Sequence, residues 1–315
     1  MVKEYSSGRT ASMKTYKSGV SGRTEDRIFD AVNYILLSII FVVTLYPFIN
    51  TLAVSFNDAI DTIRGGIYLW PREFSLYNYE IILKKPEIYN ATFISFLRAV
   101  IGAATNILAC LMVAYGISRK DFILRDFVTR LFVFTMYFSG GLIPYYFLIR
   151  DLHLNNSFLV YILPQLVSAF NIMVIRSYID GLPGSLIESA KMDGASEYRI
   201  LFSIILPLSV PVLATVTLWV AIGQWNSWFD TMLFNSSNKS LSTLQFELQK
   251  VLQSNQQIQT DGGYSAGQGG GKGRSVTPTS LRAAMTIVAT APILFVYPFL
   301  QKYFVKGLTL GGVKG

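Results

Sequence analysis

Between Tyr34 and Phe56 the chain runs through YILLSIIFVVTLYPFINTLAVSF without one charged side chain. A helix of about 20 residues crosses the hydrocarbon layer of a bilayer. Within that layer each backbone amide and carbonyl must be satisfied by protein, so the block is expected as a membrane-spanning helix. It recurs in kind. Six spans are expected, at residues 28–56, 91–117, 127–149, 157–179, 204–229 and 283–304. Charged residues make up 15% of the 315 and hydrophobic residues 51%, against about a quarter charged in soluble domains. A barrel would show short alternating segments of about ten residues, so the fold class is all-α integral membrane. Pro144, Pro164, Pro211, Pro292 and Pro298 lie within or near the ends of these spans, where bundle neighbours can satisfy the backbone groups they free.

Lysine and arginine give the orientation. Lys3, Arg9, Lys14, Lys17, Arg23 and Arg27 precede the first span, and Arg119, Lys120, Arg125 and Arg130 follow the second. The C-terminal tail carries Lys302, Lys306 and Lys314, and the third connection, 150–156, has a single Arg. The expected layout is a cytoplasmic tail over 1–27, a six-helix domain over 28–306 and a cytoplasmic tail over 307–315. The connection 181–203 faces the cytoplasm, and 57–90 and 230–282 lie outside. Basic loops beside anionic lipid account for the net charge of +8 without a nucleic-acid partner.

Several chemistries find no residues to perform them. No cleavable signal peptide is visible, because the first apolar block is too long and follows a long polar tail. Cys110 is the only cysteine and His153 the only histidine, which leaves no disulfide framework, no His-containing catalytic site beside a His-rich metal site, and no expected metal or catalytic residues. The glycine-rich stretch from Gly262 to Ser275 resembles a phosphate loop only superficially. Gly271-Lys272 is followed by Gly273, and Ala266 stands where the first glycine belongs. It reads as a flexible linker.

Between the fourth and fifth spans lies a segment of another kind, ESAKMDGASEYRILFSIILP, Glu188 to Pro207. Pro183, Ser185 and Glu188 form a capping-box pattern, with Ser185 covering an orphan amide and Glu188 reaching back. The helix is expected to end near Asp193, with Gly194 in the left-handed conformation. A second helix starts near Ser196 and places Tyr198, Leu201, Phe202 and Ile205 on one face, bending at Pro207 into the fifth span. A short capped helix projecting from the cytoplasmic face is a natural knob for a partner's groove.

The order Glu188-Ser189-Ala190, Gly194, Ile204, Leu206-Pro207 resembles the EAA loop of ABC-importer permeases, with Glu-Ser-Ala in place of Glu-Ala-Ala. SLYNYEII (Ser75–Ile82), WNSWFD (Trp225–Asp230) and the C-terminal YPFLQKYFVKGLTLGGVKG are similar to sugar permeases of the maltose type. YFSGGLIPYYFLIRDLHLNNSF (Tyr137–Phe158) resembles a subgroup serving oligosaccharides from complex polysaccharides. The resemblance implies a six-helix permease bundle with a cytoplasmic coupling helix, paired with a second homologous permease. It further implies two cytoplasmic ABC ATPases that hold ATP and Mg, and an extracellular solute-binding protein or lipoprotein. This chain itself would bind no cofactor and catalyse no reaction. Ser185, Leu186, Ile187, Glu188, Ser189, Ala190, Met192, Asp193, Gly194, Leu206 and Pro207 would form the coupling element. Within it, Leu186, Ile187, Ala190 and Met192 are expected to press into the ATPase groove.

Asn171, Gln224, Trp225, Asn226 and Trp228 supply amides and aromatic faces at or near membrane depth and are candidates for a sugar path; the alternative is that the tryptophans anchor at the membrane interface and the asparagines bond between helices. An ion-coupled secondary transporter would instead bury charges at mid-span. Arg98 is the clear candidate for that, and no partner for it is evident in the sequence. A membrane sensor subunit would not require the EAA spacing.

Overall fold

The computed structural model describes residues 24–260 and 277–311. The helices are α1 (Thr24–Ser55), α2 (Ala59–Ile63), α3 (Tyr77–Leu83), α4 (Pro86–Ser118), α5 (Arg125–Tyr137), α6 (Leu142–Asp151), α7 (Ala169–Asp180), α8 (Gly184–Met192), α9 (Glu197–Ile200), α10 (Leu206–Leu208), α11 (Val210–Asn226), α12 (Phe229–Phe234), α13 (Leu244–Thr260) and α14 (Pro278–Gly311). Among the described residues the β pairing is one isolated bridge, Asn57 to Phe74. The tail 1–23 and the linker 262–275 lie outside the described residues.

The chain divides into two units, residues 1–49 and 50–315. In the first, α1 carries an apolar side chain at almost every position and leaves them exposed, as a lipid-facing helix does. In the second, α4 is the axis. Ile107, Cys110, Leu111, Ala114 and Ile117 recur at three- and four-residue spacing and so form one stripe. Against it pack Ile172, Ile175 and Ile179 of α7, and Leu213 and Val216 of α11. Trp225 at the end of α11 donates from Nε1 to the Ala289 carbonyl on α14, 3.0 Å away.

Among the described residues three helices are long and apolar enough to span a membrane: α1 from Arg27, α4, and Pro278–Phe295 of α14. The other three expected spans are each broken. Residues 127–149 are not one rod, since α5 and α6 meet at 118°. Phe138–Gly141 separates them, and Gly141 at φ +86° supplies a turn that a residue with a Cβ resists. The fourth span begins as two 3₁₀ turns around Pro164 and bends by 48° into α7. The fifth bends by 80° at Ser209, two residues beyond the expected Pro207.

The break before α7 leaves carbonyls without helical partners, and side chains of neighbouring helices fill the gap. Asn106 on α4 donates to the Gln165 carbonyl at 2.7 Å, and Gln224 on α11 donates to the Tyr161 carbonyl at 3.2 Å. Non-helical backbone at membrane depth persists where protein satisfies it in this way.

Candidate functional site

Two regions carry the candidate residues: an elbow between α7 and α11, and a cavity beside α4. The elbow is built from its ends. α8 starts two residues earlier than the capping box requires. Pro183 takes the N-cap position, and no side chain bonds an orphan amide there. Ser185 and Glu188 are therefore already inside the helix, both exposed. The expected box does not form, because Pro183 pre-sets the backbone angle and the helix begins at Gly184. The C-terminus behaves as the sequence indicates. Gly194 stands at φ +75°, its N–H reaches the Lys191 carbonyl at 3.0 Å, and the Ala195 N–H reaches the Ala190 carbonyl at 3.0 Å. These two bonds around a left-handed glycine form a Schellman cap. Ser196 then caps α9 by accepting from the Arg199 N–H at 3.4 Å.

The surface of α8 is not the one expected. Ala190 is 8% exposed and belongs to the core, with Ile187 half-buried against the same cluster. Leu186 and Met192 point outward, Met192 at 88% exposure, beside exposed Ser189 and Asp193. Eleven residues on, the face of Tyr198, Leu201, Phe202 and Ile205 also divides. Leu201 and Ile205 are buried, while Tyr198 and Phe202 are exposed. Leu201 and Ile205 lie four residues apart on the inner side, and Tyr198 and Phe202 four apart on the outer; a π turn spans Leu201–Ile205. Leu206 is half-buried against the core and Pro207 is exposed.

Charged groups gather at the elbow's inner side. Lys191 Nζ lies 2.9 Å from Glu197 Oε1 and 3.0 Å from Asp121 Oδ2. The Tyr115 hydroxyl, at the end of α4, donates to Glu197 Oε2. Arg119 approaches both carboxylates, at 3.4 Å from Asp121 and 4.0 Å from Glu197. The bond to Glu197, then that to Asp121, holds the Lys191 ammonium above the usual lysine range. Lys191 in turn holds the Asp121 carboxyl below its usual range. Sequence reading missed this group, although Lys191 and Glu197 stand three residues either side of Gly194.

The second region is a cavity of about 450 Å³ lined by Asn106, Gln165, Ser168, Asn171, Trp219 and neighbouring apolar groups. Asn171 Nδ2 donates to Asn106 Oδ1 at 2.9 Å, and Trp219 Nε1 donates to Asn171 Oδ1 at 2.9 Å. Of the five expected path residues, the cavity wall contains Asn171. Gln224 and Trp225 are buried in helix packing. Asn226 is exposed and accepts from Gln245 at 3.4 Å, and half-buried Trp228 packs edge-on to Phe229. Asn106 and Trp219 join the wall unforeseen; an asparagine at membrane depth on α4 was the available signal.

Arg98 has partners after all. Wholly buried, it pairs with Asp230, donates from Nε to Gln224 Oε1 at 2.6 Å, and lies 4.5 Å from the Tyr161 ring centroid.

Residues 19–310 match the profile of the binding-protein-dependent transport system inner membrane component. The chain belongs to that family. It is a membrane-embedded transport subunit working with a separate ATPase and a binding protein, and it is not itself an enzyme. As such a permease it is 36% identical over 292 residues to the polygalacturonan/rhamnogalacturonan transport system permease protein YtcP of Bacillus subtilis, covering 92% of this chain and 100% of that one. Protein LplC of the same organism is 34% identical, with 92% and 96% covered. A crystal structure of a bacterial ABC transporter involved in the import of the acidic polysaccharide alginate aligns at a TM-score of 0.79 and 27% identity, over 90% of this chain and 99% of that one. The ion-coupled transporter and sensor alternatives are not favoured by these matches.

Proposed function

We propose that the permease passes a sugar or oligosaccharide across the bacterial cytoplasmic membrane, driven by ATP hydrolysis in its partner subunits. A second, homologous permease completes the path, two ATPases use ATP and Mg, and an extracellular binding protein delivers the solute. Both termini and the α8 elbow face the cytoplasm. The elbow carries the reading: a short helix with a firm Schellman stop, presenting Leu186 and Met192 outward where an uncovered apolar pair at a surface is a contact in waiting. Ser189 and Asp193 complete that face, while Ile187 and Ala190 root it in the core.

The polysaccharides for which YtcP and the alginate importer are named support an oligosaccharide. The cavity suits one. Trp219 and Phe170 offer rings for the apolar faces of a sugar, and Asn106, Asn171 and Ser168 offer groups for its hydroxyls. Asn226 closes α11 and Trp228 stands just beyond it, at the start of α12.

The test is co-purification of the ATPase with a Leu186→Glu/Met192→Glu permease. Membrane levels should match wild type, because both side chains are exposed, and the ATPase should be lost. Retention of the ATPase at the wild-type level would show that this face is not the docking surface. Ala190→Arg makes the contrast: a charge forced into the core should remove the folded permease itself.

A further inference from the structure

Docking explains how force reaches α8 but not how it reaches the spans. The peptide path from α8 runs through a glycine at φ +75° and then a π turn, two places where a helix transmits poorly. The side chains around the elbow bypass both. Lys191 is on the last turn of α8, before the glycine, and Glu197 is on the first turn of α9, after it. Their salt bridge closes the elbow like a strut. Tyr115 fastens the Glu197 end to α4, and Asp121, in the loop after α4, fastens the Lys191 end. Arg119 lies over the same group, its guanidinium 5.9 Å from the Tyr115 ring. Tyr115 is 6% exposed and packed in the core with Ala190 and Ile200, so its hydroxyl is a fixed anchor and not a mobile surface contact.

We infer that Tyr115, Glu197, Lys191 and Asp121 form a clamp that keeps the coupling elbow in register with the cytoplasmic end of α4, so that motion imposed on α8 moves α4 as one body with it. These are positioning residues; none of them touches the solute. The inference rests on the docking role of α8 proposed above, but it makes a separate demand. The elbow must hold a constant distance from α4 whichever nucleotide state the ATPase adopts.

The experiment places spin labels at Tyr198→Cys on α9 and Met112→Cys on α4, both exposed, in the permease–ATPase complex. The one native cysteine, Cys110, is buried. Distance distributions are recorded without nucleotide and with ATP plus vanadate. With the clamp intact, one narrow distribution should persist in both states. Tyr115→Phe, which deletes one hydroxyl, and Lys191→Ala should each retain the ATPase yet broaden the distribution and shift it on adding nucleotide. Lys191→Arg, which keeps both salt bridges, should restore the narrow one. ATP hydrolysis that responds to loaded binding protein should fall about two- to thirtyfold in the first two variants, the range over which residues along a transmission path alter coupling. A distance that changes with nucleotide in the intact complex would overturn the clamp, as would Tyr115→Phe and Lys191→Ala variants that keep the narrow, nucleotide-independent distribution. Loss of the ATPase from Lys191→Ala would overturn it too, by making Lys191 part of the docking contact. The docking role itself stands or falls on Leu186 and Met192, which these variants leave untouched.

Discussion

Arg98 and Asp230, 132 residues apart, meet as an ion pair that joins α4 to the first turn of α12. The guanidinium is fully enclosed. Gln224, the Ser227 carbonyl at 3.3 Å and the Tyr161 ring take up the rest of its donors and its face. Asp230 is held in turn by the Ser227 hydroxyl at 2.9 Å. A charge at this depth is tolerated because each of its hydrogen-bonding groups is answered.

Removing one member strands the other. Asp230→Asn or Arg98→Leu should lower stability by about 3–5 kcal/mol, whereas Arg98→Leu/Asp230→Leu together should recover most of that loss. Thermal unfolding of the purified permease in detergent gives the comparison. A double variant as damaged as the worse single one would mean the pair is not the source of the effect.

Gly102 allows this arrangement. A Cβ there would lie 2.8 Å from Gln224 Nε2 and 2.9 Å from its Cδ. Gln224 cannot swing away without releasing both Arg98 and the Tyr161 carbonyl. Gly102→Ala should therefore cost about 1–3 kcal/mol, the usual penalty of overpacking, and Gly102→Ala/Gln224→Ala should be milder than Gly102→Ala alone. Melting temperatures of the two variants, each against wild type, decide it.

At the elbow, nothing lies within 4 Å of a Cβ added to Gly194, so the constraint is the backbone angle alone. Gly194→Val should cost about 1–2 kcal/mol in the left-handed region, and Gly194→Asn appreciably less. The membrane level should stay near normal while ATP hydrolysis stimulated by loaded binding protein falls in the valine variant. Wild-type stimulation there would show that the turn can be remade without glycine.

The charge cluster should not respond to physiological pH. Asp121 is depressed below 3.8, so its contribution is present above that value and is lost as pH falls through its lower folded value. Lys191 is raised above 10.5, so its contribution is present below that value and is lost as pH rises through its higher folded value. Glu197, Arg119 and Tyr115 face the same pair. The difference in melting temperature between wild type and Lys191→Ala should therefore stay constant from about pH 5.5 to 9. A difference that vanishes inside that window would mean another group controls the cluster.

The sequence made the spans visible because uncharged length is enough to detect them, and it made the Gly194 stop visible because few residues other than glycine adopt that angle. It could not show that three spans are broken. Hydropathy records how apolar a segment is, and Phe138–Gly141 or Leu163–Gln165 changes direction without changing that. Nor could it show which side of α8 turns inward. Two turns of helix carrying Leu186, Ile187, Ala190 and Met192 have apolar groups on both sides, and only the packing of α4 and α7 selects Ala190 for the interior. Arg98 lacked a visible partner because Asp230 comes close only once α11 has folded back along α4. Gln224 and Trp225 have the chemistry to bind a sugar, yet in the folded chain that chemistry answers Arg98, Tyr161 and Ala289.

The bend ahead of α7 has a consequence for how this protein can change over time. Its angle is recorded less in its own residues than in Asn106 and Gln224, which hold the carbonyls of Gln165 and Tyr161 from two other helices. Transplanted alone into another bundle, residues 158–180 would arrive without the amides that keep them bent, and would tend to straighten. The segment is a dialect understood only by its neighbours, so the unit that can be inherited or exchanged intact is the trio of α4, the bent fourth span and α11.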